Sequence, residues 1–292
     1  MRGIIRKGIG GFYYIQAENS CLYECKAKGV FRKEKITPLA GDQVEIAVDE
    51  AGKGVIDEIL PRKNEWLRPP LANLDQLILV VSSCEPTPNL LNLDKLLTVA
   101  EYKGIEPFLA ITKVDLADGA ELGKIYRNAG FHTIVLNNLE KNTGKVLLPY
   151  LDGKITALTG NSGVGKSSLL NNIFGTSSFE TSEISQKLGR GRHTTRYVEL
   201  FPIGSGYVAD TPGFSTIEIN KYAIIKKEEL QDCFREFSPY LHDCKFHDCS
   251  HTGEIGCKIK EAVENGAISL SRYQSYCQLY EEAKLIKDWE NK

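Results

Sequence analysis

Residues Ile155 to Asn172 read ITALTGNSGVGKSSLLNN. The apolar run Ile155 to Leu158 enters a turn with glycines at 160, 163 and 165, followed by Lys166, Ser167 and the helix-like SLLNNIF. A strand, a G-x-x-x-x-G-K-S loop and a helix in that order build a phosphate cradle. The glycines let backbone N–H groups from Gly160 through Asn161, Ser162, Gly163, Val164 and Gly165 converge on phosphate oxygens without Cβ interference. Lys166 would reach the β- and γ-phosphates, and the Ser167 hydroxyl, beside Ser168, would complete a Mg²⁺ shell at the positive end of a helix. A glycine turn of purely structural origin is the alternative, and the flanking strand and helix argue against it.

The 292 residues, 42% hydrophobic and 25% charged, suit two or three ordinary soluble domains and do not indicate disorder. With a net charge of −2, any nucleic-acid contact has to come from a local basic patch. Residues 1 to 30 lack the apolar core of a signal peptide and no stretch approaches a membrane span, so a cytoplasmic protein without membrane contact is expected. In that compartment the eight cysteines read as thiols or metal ligands before disulfides, and four of them crowd between 233 and 257.

The first 65 residues read as small β structure. Runs rich in β-branched and aromatic residues, Gly11 to Ala17, Cys21 to Cys25, Val44 to Val48 and Gly54 to Leu60, are split by the turn signals Glu18-Asn19, Gly41-Asp42 and Gly52-Lys53. A five-stranded barrel is the economical interpretation. Between its strands lie Lys26, Lys28, Arg32, Lys33 and Lys35 around Phe31, as expected of a barrel loop that meets RNA phosphates and stacks a base. A solvated hairpin face is the alternative. Lys63, Arg68, Pro69 and Pro70 then suggest a stiff polar connection.

From Leu74 the pattern changes to strands alternating with helices: Gln76 to Val81 a strand, Leu90 to Tyr102 a helix, Pro107 to Ile111 a strand. A parallel sheet with crossover helices follows. The second strand ends in Thr112-Lys113-Val114-Asp115, at the carboxyl end where open α/β sheets bind ligands. A carboxylate at Asp115 can accept from both N1–H and the 2-amino group of guanine, whereas adenine offers neither donor. A charged loop is the plain reading of T-K-x-D alone; with the phosphate loop, both ends of one guanine nucleotide are provided for.

After the phosphate helix, Ser185 to Arg196 is polar and rich in glycine, basic residues and threonine, and Val198 to Phe201 with Gly206 to Ala209 reads as a strand hairpin. The second strand ends in Asp210-Thr211-Pro212-Gly213, placing Asp210 to hold Mg²⁺ through water and the Gly213 N–H to sense a γ-phosphate. Thr195, with Thr194 as second choice, is the further metal ligand. Asp115 precedes Gly160, the reverse of the usual order in guanine-nucleotide switches, so the domain is circularly permuted. Surface termini permit this.

Cys244, Cys249, His251 and Cys257 form a C-x₄-C-x-H-x₅-C cluster, followed by an amphipathic helical stretch from Glu261 to Trp289. Three thiolates and an imidazole suit tetrahedral Zn²⁺ in a closed structural site, one ion per chain. Plain core cysteines are the alternative. Cys233, His242 and His247 are outside the ligand set.

Taken together, GDQVEI at 41 to 46, the NEWLRPP linker, TKVD, GNSGVGKSSLLN, GRGRHTT, DTPGF and the cysteine cluster resemble the bacterial ribosome small subunit-dependent GTPase A family over about Gly3 to Tyr280. The resemblance implies a multi-domain chain: an N-terminal OB-like RNA-binding barrel over 1–68, a permuted α/β P-loop GTPase domain over 69–222 and a mainly helical zinc domain over 223–292. It implies a monomeric GTP hydrolase that binds the small ribosomal subunit and its rRNA and acts late in subunit maturation. Two departures bear on the base. Thr112 stands where many GTPases carry Asn, with loss of a guanine bond and a loop-tethering bond expected. Asn137-Asn138 stands where a Ser-Ala usually touches the base. Gly213 is followed by Phe214 rather than by a water-orienting Gln, so slow turnover in isolation is expected, with His193 or a ribosomal group supplying the polar function.

An ATP-using kinase or ATPase, or an RNA-binding factor whose nucleotide site only senses, are the competing classes. Asp115 separates the first. Asp115→Asn is expected to lose preference for GTP over xanthosine triphosphate, measured by competition, because the amide cannot pair with both guanine donors; retained preference would remove the base assignment.

Overall fold

Five strands close on one another at the N-terminus: β1 (Arg2–Ile9), β2 (Phe12–Ala17), β3 (Leu22–Ala27), β4 (Gln43–Val48) and β5 (Gly54–Ile59), in the order β1-β2-β3-β5-β4. The computed structural model describes residues 1–50, 52–140, 142–176, 198–211 and 222–286. Register between Gly3 and Val44 shuts the barrel, and β3 runs parallel to β5. Alternation puts Ile5, Ile15, Cys25, Val44, Ile46 and Ile56 inside. The sequence runs omitted β1, because Arg2, Arg6 and Lys7 mask its buried Ile4 and Ile5, of which Ile5 faces the barrel core.

The basic segment corrects one expectation. Gly29–Lys33 is a short helix, α1, and Phe31 turns inward to plug the barrel core, so it is not a base-stacking ring. An aromatic side chain next to an open barrel end gains more from burial than from exposure. Lys26, Lys28, Arg32, Lys33 and Lys35 are all exposed, with Lys28 paired to Asp57 at 2.8 Å and the Lys26 ammonium 5.0 Å from the Phe12 ring centre.

The stretch expected to be a stiff polar connection is instead a packed hairpin, β6 (Glu65–Leu67) against β7 (Pro70–Ala72). Trp66 and Leu71 are fully buried. Asn64 exchanges two bonds with the Leu74 backbone at 2.8 and 2.9 Å, and Arg62 grips buried Asp42 from two nitrogens at 2.7 Å. One tryptophan and one leucine outweigh the polar residues around them.

A six-stranded sheet follows, in the order β10-β9-β8-β11-β13-β12. Its strands are β8 (Gln76–Ser82), β9 (Glu106–Thr112), β10 (His132–Val135), β11 (Ile155–Thr159), β12 (Leu200–Ile203) and β13 (Gly206–Asp210). β9 and β10 are parallel, as are β11 and β13, and β12 is antiparallel to β13. Helices α2 (Leu90–Tyr102), α3 (Ala120–Asn128), α4 (Thr143–Leu151) and α5 (Lys166–Thr176) connect them. Among the described residues the chain forms two compact units: 1–77, 139–159 and 166–211, and 78–138, 160–165 and 222–286. In the first, Lys7 of the barrel meets Glu199 at 3.1 Å and Arg6 donates to the Leu200 carbonyl at 3.1 Å. No helix among the described residues is long and apolar enough to cross a membrane.

The second unit carries the C-terminal region on α2. Where one amphipathic helix was expected from Glu261, two form, α6 (Lys258–Glu264) and α7 (Leu270–Lys284), because Asn265-Gly266 stops the first; Gly266 has φ +79° and the Asn265 side chain caps Ala267. Arg272 of α7 is completely enclosed. It donates to Asp94 of α2 and to Glu236, each at 2.7 Å, with its guanidinium 4.6 Å from the Phe234 ring centre. Arg235 similarly bridges Glu101 and Glu106, at 2.6 and 2.8 Å. Replacing Arg272 by Met strands two buried carboxylates without a counter-charge; a loss of about 3–5 kcal/mol of stability is expected in urea unfolding.

Candidate active site and metal centre

Strand β11 is buried along its whole length and stops at Gly160, where a Cβ would lie 2.4 Å from the Val80 carbonyl oxygen of β8. Any side chain there collides with backbone, so glycine is required. The loop then turns through Gly163 and Gly165, with φ of +81° and +90°. Two side chains hold it from behind. The Thr112 hydroxyl lies 2.5 Å from the Val164 carbonyl, and the Asn138 amide donates to the Gly165 carbonyl at 3.1 Å.

The loop-tethering bond expected to be lost with Thr112 is therefore present. A hydroxyl reaches the loop because Thr112, at the end of β9, is fully buried against it; its proton has a second acceptor in Val81 O at 3.2 Å. Lys113, at φ +60°, is fixed on the next segment: its ammonium donates to the Glu85 carbonyl at 2.5 Å and its own carbonyl accepts from Ser83 at 2.9 Å. Asp115 is exposed beyond it.

The loop opens α5, whose first turn carries Lys166 and the exposed Ser167 and Ser168. The Lys166 ammonium donates to Asp210 at 2.7 Å and to the Thr211 carbonyl. Leu158 and Asp210 are register partners on β11 and β13, and Thr211 is locked to the Leu158 carbonyl by both its N–H and its hydroxyl, at 3.2 and 2.6 Å. A cation and a carboxylate are thus held together where two parallel strands end. Thr195, His193 and Gly213 lie outside the described residues.

Cys244, Cys249, His251 and Cys257 converge, their ligand atoms all within 4.8 Å of one another. Cys244 and Cys257 sulfurs lie 3.5 Å from His251 Nδ1 and 4.0 Å from each other. A tetrahedral zinc ion with Zn–S near 2.3 Å and Zn–N near 2.0 Å requires S···N of about 3.5 Å and S···S of about 3.8 Å. The donor set fits. Burial pushes the Cys249 thiol up to about 12 and the His251 imidazole down, so separated thiolates are costly here and a divalent cation offsets that cost.

Around the ligands, Gln231 accepts from His251 Nε2 at 3.0 Å, which leaves Nδ1 for the metal, and the Lys258 N–H donates to the Cys244 sulfur at 3.3 Å. Tyr273 and Tyr276 of α7 each donate at 2.9 Å to the carbonyls of His251 and Ser250. Sequence reasoning missed Gln231, because nothing in a polar 3₁₀ turn twenty residues upstream marks it as a histidine partner. It noticed Asn138 only as a departure; the amide donor at that place was the available signal.

Comparisons with known proteins agree across the chain. The RsgA GTPase family model matches residues 59–220 and the RsgA N-terminal domain model residues 2–56. A small ribosomal subunit biogenesis GTPase, RsgA 2, of Oceanobacillus iheyensis is 45% identical over 291 residues, spanning 98% of each chain. That of Ruminiclostridium cellulolyticum is 44% identical, over 99% of this chain and 96% of its own. Among solved structures, YjeQ from Thermotoga maritima superposes with a TM-score of 0.80 at 36% identity, over 98% and 99% of the two chains. YloQ, described as a circularly permuted GTPase, gives 0.80 at 34%, over 97% and 94%.

Gln231→Ala is expected to lower zinc affinity about 10- to 100-fold, read by chelator competition, while leaving the four ligands in place.

Proposed function

The chain belongs to the RsgA GTPase family, and from that membership we propose that it hydrolyses GTP on the small ribosomal subunit during late subunit maturation. The observation that carries the reading is the Lys166–Asp210 pair at the ends of two parallel strands, one of which leads directly into the glycine loop. On GTP binding each partner would gain a new counter-charge: Lys166 would face the β- and γ-phosphates, and Mg²⁺ would be held by Ser167 and Thr195 and, through water, by Asp210. That ion would screen the phosphate charge as it develops. The N–H groups from Gly160 to Gly165 bind phosphate oxygens, and Asp115, with Lys113 and Thr112 behind it, reads guanine.

The Gly213 N–H senses the γ-phosphate. Since Phe214 cannot orient a water molecule as a glutamine would, the isolated enzyme is slow, and His193, or a group brought by the subunit, supplies the missing polar function once both switch segments are held on the subunit. The barrel contacts rRNA through Lys26, Lys28, Arg32, Lys33 and Lys35, whose side chains all face solvent. One zinc ion on Cys244, Cys249, His251 and Cys257 holds the C-terminal region folded. The protein works in the cytoplasm as a monomer.

Turnover of GTP with and without added small subunits tests the reading. Stimulation by orders of magnitude is expected for the wild type. His193→Ala should keep GTP and subunit binding and lose most of the stimulated rate. An unstimulated wild type would overturn the ribosomal assignment, and a fully stimulated His193→Ala would remove the histidine alone.

A further inference from the structure

We infer that Asn138 is a positioning residue for the nucleotide, acting with Thr112 as a two-part latch on the carbonyls of Val164 and Gly165. The inference rests on the GTPase reading and deepens its binding site. Consecutive carbonyls of the phosphate loop each receive one side-chain hydrogen bond: Val164 from Thr112 at 2.5 Å and Gly165 from Asn138 at 3.1 Å. A trans peptide is planar, with its C=O and the following N–H pointing in opposite directions. Drawing those two oxygens outward therefore turns the N–H groups of Gly165 and Lys166 the other way, toward an anion in the loop. Without the latch the same peptides could flip and present oxygens to phosphate.

Both donors come from neighbouring strands. Thr112 ends β9, Asn138 follows β10, and the two segments are tied by parallel pairing up to Val135 and Ile111 and by the Leu136 N–H on the Ile111 carbonyl at 2.7 Å. Gly165 is the point where they meet: a Cβ there would lie 2.8 Å from the Asn138 amide nitrogen and 3.6 Å from the Thr112 hydroxyl, at φ +90°. A threonine has one proton to donate, which Thr112 shares between Val164 O at 2.5 Å and the longer Val81 O at 3.2 Å, whereas an asparagine amide has two. Asn138 thus supplies the second bond that the short Thr112 side chain cannot. The departure at Asn138 and the departure at Thr112 compensate each other, and guanine-side segments preorganise the phosphate loop.

GDP titration of the full-length protein tests the latch, with steady-state GTP turnover on small subunits beside it. Asn138→Ala, and Asn138→Leu, which keeps the volume without the donor, are each expected to weaken GDP about tenfold. The KM for GTP should rise by a similar factor while kcat falls far less, and the thermal midpoint should hold. Adding Thr112→Asn to Asn138→Ala should restore GDP affinity, since one longer amide can serve both carbonyls. Wild-type GDP affinity in both Asn138 variants, or no restoration by Thr112→Asn, overturns the latch while leaving the GTPase reading intact. Wild-type protein that binds no GDP overturns that reading and the latch with it.

Discussion

A phosphate loop has to present bare N–H groups on one side while being held on the other, and here both demands meet at Gly160 and Gly165. Gly160 lies so close to Val80 that no Cβ fits, and Gly165 lies between two side-chain donors. The loop is therefore shaped by neighbours that touch its backbone rather than by its own side chains. Held from Thr112 and Asn138, it delivers Lys166 into the first turn of α5, where the ammonium is met by Asp210 and the Thr211 carbonyl. Binding can then exchange one set of charge partners for another without first ordering the backbone, which is the costly part of loop-based recognition.

The C-terminal region solves a different problem. Among its described residues are a 7-residue helix, a 15-residue helix and two 3₁₀ turns, little structure to build a core from alone. Two devices compensate. The Cys₃His cluster ties residues 244 to 257 together at metal-ligand spacing, and Tyr273 and Tyr276 bond its backbone to α7. Arg272 and Arg235 then fasten the same region to α2 through Asp94, Glu101 and the neighbouring Glu106. Of these pairs Arg272 with Asp94 is fully buried, and removing the arginine would leave a carboxylate without its counter-charge.

Local chemistry in the sequence determined much of this protein: the strand, loop and helix around Gly160, the T-K-x-D segment at a strand end, the reversed order that marks permutation, the barrel and the Cys₃His cluster. Each depends on residues close in the chain or on a period of two or 3.6, which a linear reading can detect. Even the break at Asn265-Gly266 is written in turn residues, although the amphipathic pattern on either side of it reads as one continuous helix.

Tertiary structure alone decided the rest, wherever the outcome depended on contacts between distant segments. Whether Phe31 faced solvent or core depended on how far the barrel end closed, and whether the 62–74 stretch was a polar spacer or a packed hairpin depended on what Trp66 and Leu71 could bury against. Gln231 became a histidine partner, and Thr112 and Asn138 became tethers, only when the fold brought each within bonding distance of a group 20, 52 or 27 residues away. Hydrogen bonds fade within an ångström of their ideal length, so residue type can nominate such a donor, but only the folded backbone selects its acceptor.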